Sequence, residues 1–129
     1  MAILTFRHII VDLVGDPYFP IQRQTNYPAY STLHFVNRGS AAKPEFELHQ
    51  GEQPAYRLSP EENAKLLRLM QGITVSAPQM PMLPLDGMAT DLSIRQHGCD
   101  LSFRWHCELP AEWDSLGELV AFVTSFQKE

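Results

Sequence analysis

Residues able to do chemistry are few in this chain, and they are scattered. Of five histidines, His34 and His49 are the metal candidates. They fall on segments expected to be neighbouring strands, with Glu45 and Glu47 nearby, and imidazole with carboxylate suits zinc or iron. No HxH, HxxH or HExxH spacing accompanies them, and metal sites usually carry such spacing. His106 projects from the polar face of its own strand. Nucleophilic catalysis has no GxSxG elbow, and the seven glycines stand singly rather than in a phosphate-cradling loop. The adjacent carboxylates Glu61 and Glu62 belong to a helix cap. Cys99 and Cys107 lie on one expected strand, roughly 26 Å apart at ~3.3 Å per residue. That is far beyond the ~7 Å reach of a disulfide, so free thiols and a reducing, cytoplasmic setting are expected. No catalytic residue and no cofactor are implied.

The side chains suited to binding are better grouped. Ten prolines are about 8% of the chain, against a usual ~5%, and six of them fall in two segments. Residues 15–28 form a long connection carrying Tyr18, Phe19 and Tyr27, rigid rings that serve contact surfaces well. Residues 76–88 carry Met80, Met82 and Met88 among three prolines, an extended apolar strip that could accept a partner. Burial over the core is the competing role for both. A third cluster is the last helix, whose edge residues Phe122 and Phe126 could meet another surface or line a groove within the monomer.

These residues must be held by recognisable elements. Residues 89–107 read as a hairpin turning at His97-Gly98, where glycine supplies a positive φ. Pairing residues whose numbers sum to 195 sets Ile94 against Leu101 and Leu92 against Phe103. The same register sets Arg95 against Asp100 and Asp91 against Arg104 on the other face, so a slip by one residue would bury charge. Ser59-Pro60-Glu61-Glu62 is a capping box opening a helix whose apolar stripe runs through Leu66, Leu67, Leu69, Met70 and Ile73, with Gly72 placed to stop it. A second helix is expected over residues 113–127, with Trp113, Leu116, Leu119, Val120, Phe122, Val123 and Phe126 covering about half its circumference. Residues 2–13 read as a strand rich in Ile and Val. Residues 29–37 and 45–50 suggest a second hairpin around Asn37-Arg38-Gly39-Ser40, followed by a short strand at 55–58. Together these predict one α+β domain over 1–129, a single antiparallel β-sheet with two helices packed on one face.

Composition bounds the function. With 44% apolar and 19% charged residues the chain reads as an ordinary globular protein. Ten basic and fifteen acidic side chains leave a net charge of −5, which argues against a phosphate-backbone binder of nucleic acid. Arg7 and Asp12 interrupt the apolar start before it reaches the ~7–15 residues of a secretory segment. No run approaches the ~20 residues of a membrane span. The expectation is a cytoplasmic protein that acts by protein–protein binding, as an inhibitor or immunity-type partner, a regulatory subunit or a self-associating homodimer. The alternatives are a small metal-assisted hydrolase using His34, His49 and a carboxylate, and a binder of an apolar small ligand between sheet and helices.

Overall fold

The computed structural model describes residues 4–15, 32–51, 53–76, 87–96, 98–106 and 109–127. In chain order they form β1 (Leu4–Asp12), β2 (Thr32–Asn37), β3 (Phe46–His49), β4 (Tyr56–Arg57), α1 (Pro60–Gln71), β5 (Gly87–Gln96), β6 (Cys99–His106) and α2 (Asp114–Thr124). A single 3-10 turn, Ala111–Trp113, leads into α2. The strands make one sheet in the order β4-β3-β2-β1-β5-β6.

The sheet is mixed, not antiparallel as expected. β1 runs parallel to both of its neighbours, with Ile9 opposite Leu33 of β2 and Leu92 of β5. The physical reason is visible in β1 itself. A strand at the centre of a sheet is covered on both faces and so reads as a continuous apolar run rather than an alternation. Ile9, Ile10 and Val11 are each fully buried although their side chains alternate between faces. Parallel pairing also demands a long crossover, which the interval between Asp12 and Thr32 provides. The remaining pairs, β2–β3, β3–β4 and β5–β6, are antiparallel.

The β5–β6 hairpin has the expected register throughout: Leu92 faces Phe103, Ile94 faces Leu101, Asp91 faces Arg104 and Arg95 faces Asp100. Gly98 takes φ +85° at the turn, a conformation that costs an L-residue but not glycine. The β2–β3 connection is organised by Asn37, whose Oδ1 accepts the N–H groups of Gly39 at 2.8 Å and Glu45 at 3.0 Å. The capping box on α1 is complete: Ser59 Oγ accepts the Glu62 N–H, and Glu62 Oε1 accepts the Ser59 N–H.

Both helices bury their apolar stripes against one face of the sheet. Leu66 and Leu69 of α1 and Leu116, Leu119 and Val123 of α2 join Ile9, Val11, Leu33, Phe35, Leu48, Leu92, Ile94 and Trp105 in one hydrophobic cluster. Ile10 and Val36, on the other face, are fully buried yet lie outside that cluster. Ser115 ties the start of α2 to the segment leaving α1, accepting the Thr74 N–H and donating to its carbonyl, both at 2.8 Å.

Candidate functional site

Period-2 alternation sends the even-numbered residues of β1 away from the helices. His8 and Asp12 on that face are fully buried, and His34 of β2 is nearly so. Asp12 lies at the carboxyl end of the central strand. Its Oδ1 accepts the N–H groups of Val14 at 3.0 Å and Gly15 at 3.2 Å. Its Oδ2 accepts from Arg95 Nη1 at 3.2 Å and lies 3.6 Å from His34 Nε2. One carboxylate thus gathers two turn amides, a guanidinium from β5 and an imidazole from β2. Burial pushes the His34 imidazole below its ordinary pKa, outweighing the attraction of Asp12. His8 is lowered by burial as well, against the pull of Asp91 and with a smaller push from Arg104.

His34 and His49 stand directly opposite each other on β2 and β3, so the two metal candidates are neighbours as expected. Their partners, however, diverge. His34 is drawn to Asp12, whereas His49 Nε2 lies 2.9 Å from Glu47 Oε1 on its own strand, an oxygen also within 3.4 Å of Arg38. Among the described residues no group of three His, Cys, Asp or Glu side chains is arranged to hold a metal ion. The arrangement fixes each carboxylate between a guanidinium and an imidazole: Asp12 between Arg95 and His34, and Glu47 between Arg38 and His49.

The aromatic end of α2 forms a second feature. Phe126 packs 5.9 Å from Phe35, 5.7 Å from Tyr56 and 5.2 Å from Phe122, measured between ring centroids. Lys65 of α1 sets its ammonium 5.0 Å above the Phe122 ring, a cation–π contact between the helices. Phe122 and Phe126 are therefore half-buried by the chain's own residues. Beside them a cavity of about 220 Å³ is lined by Leu48, Pro54, Tyr56, Phe126 and polar neighbours. That is smaller than the ~300–1,000 Å³ usual for small-molecule sites, and it lies where the β3–β4 edge of the sheet meets the end of α2. Tyr56 donates its hydroxyl to Glu62 at 2.8 Å, and that hydrogen bond raises the phenol above its ordinary pKa.

The third feature is the outer edge of β6. Strand β4 closes the opposite edge with only two residues, whereas β6 runs for eight. Leu101 on β6 is 42% exposed. Gln96 and Cys99 close the hairpin as a hydrogen-bonded pair, so Asp100, Ser102 and Arg104 occupy the alternate positions and turn their backbone N–H and C=O groups outward. Arg104 clasps Asp91 through two hydrogen bonds, Nε to Oδ1 and Nη2 to Oδ2.

Tyr18, Phe19, Tyr27, Met80 and Met82, the expected contact residues of the proline segments, lie outside the described residues, as does Cys107. Asp12 and Arg95 were not singled out from sequence as site residues. They come from strands far apart in the chain, and only the parallel pairing of β1 with β5 places them together. Among the described residues no helix is long and apolar enough to cross a membrane. A scan against protein-family models and searches of curated proteins and of solved structures give no match for this chain.

Proposed function

We propose that this protein acts by binding another polypeptide, which adds a strand to the outer edge of β6. The observation that carries the reading is the contrast between the two sheet edges. Folded proteins guard their edges with short strands, prolines, lysines or bulges, because an open edge is a template for pairing. The β4 edge is short enough to be protected. β6 lacks most of these guards: it spans eight residues, Cys99–His106, without proline or lysine, its unbroken register with β5 leaves no bulge, and its charges are one of each sign, Asp100 and Arg104. Among the described residues, β5 is its only strand neighbour. Strand addition would draw affinity from main-chain hydrogen bonds and selectivity from alternate side chains. The half-exposed Leu101 supplies an apolar contact beside the charged Asp100 and Arg104.

Ser102→Pro tests this, since it deletes one outward N–H while leaving the inward pairing to β5 intact. Bead-bound wild-type and variant proteins, matched by circular dichroism, are exposed to an extract of the cells in which the protein is naturally made. A polypeptide retained by the wild type and lost with the proline is expected. Identical retained material for the two proteins overturns the reading, and so does none for either when the purified chain is also a strict monomer by light scattering.

A further inference from the structure

We propose that the occupant of the β6 edge is a second copy of this chain, the two β6 strands running antiparallel about a two-fold axis at Ser102. The inference rests on the reading of β6 as a binding edge and adds the identity and register of its partner. In a two-fold antiparallel pair, each residue faces one whose number completes a constant sum. The outward backbone groups of Asp100, Ser102 and Arg104 must pair with each other's equivalents, which restricts that sum to even values.

A sum of 204 sets Ser102 against its own copy. It sets Asp100 against Arg104 of the second copy and, by symmetry, Arg104 against its Asp100. Both charges of the strand are then matched. Displacing the axis to Asp100 or to Arg104 places like charges directly opposite, which is destabilising in a sheet. Displacing it to Leu101 or Phe103 leaves Asp100 and Arg104 without each other. The register that pairs the charges also sets the exposed Leu101 against Phe103 of the second copy, at a position where side chains approach most closely. The Arg104 side chain is 56% exposed while clasping Asp91, so its guanidinium can bridge that carboxylate and the incoming Asp100. Self-complementarity of this kind is what an isologous interface requires.

The test combines oligomeric state with register. Light scattering of the purified chain from about 1 µM to about 1 mM, the range of affinity expected of a contact smaller than a standard interface, should show mass rising from monomer to dimer. A chain carrying Cys99→Ser, Cys107→Ser and Ser102→Cys places two thiols across the axis with Cα atoms about 5.5 Å apart, inside the range a disulfide spans. Mild oxidation should convert it to a covalent dimer at least tenfold faster than the matching Arg57→Cys chain, whose thiol sits on the opposite edge. Asp100→Arg should weaken dimerisation at least tenfold. A strict monomer at every concentration overturns the proposal, and so does a dimer in which Ser102→Cys oxidises no faster than Arg57→Cys. If the purified chain is monomeric while the extract experiment yields a different polypeptide that Ser102→Pro loses, self-pairing fails and the edge reading stands.

Discussion

Replacing Asp12 probes the charged cluster at its centre, because one buried carboxylate serves four partners at once. In Asp12→Ala the Arg95 guanidinium, about one-fifth exposed, loses its buried counter-charge. Removing one partner of a buried pair costs about 3–5 kcal/mol, and partial access to water places this one near the lower end, about 3 kcal/mol. The N–H groups of Val14 and Gly15 lose their acceptor too. A fully buried orphan donor costs about 1–3 kcal/mol, but both residues are half-exposed, so about 0.5 kcal/mol each is reasonable. The expected loss is about 4 kcal/mol, much of the 5–15 kcal/mol typical of a folded domain. Asp12→Asn keeps an oxygen facing the two amides and loses only the charge, for about 3 kcal/mol. Urea unfolding followed by the fluorescence of Trp105 and Trp113 measures both. With a slope of about 2 kcal/mol per molar, the alanine midpoint should fall by about 2 M and the asparagine midpoint by about 1.5 M. Losses under about 1 kcal/mol in both variants would refute the view that Asp12 anchors the sheet. Equal losses would refute the role given to the turn amides.

Two further outcomes follow from the same geometry. His8 and His34 are held below their ordinary pKa by burial, so below about pH 6.5 the unfolded chain binds protons that the folded chain refuses. Their stabilising effect is complete above that value and is lost as pH falls, by up to about 1.4 kcal/mol per pH unit for each group. Urea midpoints should therefore drop between pH 7 and pH 5, less steeply in His34→Gln, and a flat profile would sink the argument. Gly15 and Gly98 both take positive φ, but an added Cβ at Gly15 would sit 2.6 Å from the Asn37 carbonyl oxygen while at Gly98 it meets nothing within 4 Å. Gly98→Ala should cost about 1–2 kcal/mol from backbone strain alone, and Gly15→Ala clearly more by thermal melting; equal costs would contradict the close approach.

Local patterns carried the parts of the fold that were legible in sequence. The β5–β6 register could be read because two apolar pairs and two charge pairs selected the same alignment. The α1 boundary could be read because Ser59, Pro60 and Glu62 each have a job at a helix start. The direction of β1 left no such trace, since parallel strands meet only through distant chain and share no turn. The unbroken run Ile9-Ile10-Val11 fits a strand buried on both faces, but it carries no information on which way the neighbouring strands run. Of the candidate site, the His34–His49 neighbourhood followed from the hairpin that joins their strands. Asp12 and Arg95 did not, because their meeting depends on that unheralded pairing. The β6 edge was hidden for a related reason: a strand's sequence describes its faces, while its place at the rim is settled by the order of the whole sheet.

That order has a consequence for how the protein is made. One of the two central strands, β1, leaves the ribosome before every other described strand, and one of its two sheet neighbours is β5, with Asp12 and Arg95 separated by 83 positions. At about 5–20 residues per second, roughly 4–17 s pass before β5 is available to pair. Throughout that interval Ile9, Ile10 and Val11, among the most deeply buried residues of the finished protein, are an apolar strand with an unfilled side. Closing the sheet around β1 is a late, non-local event, of the kind that slows folding and leaves a nascent chain dependent on whatever shields it meanwhile.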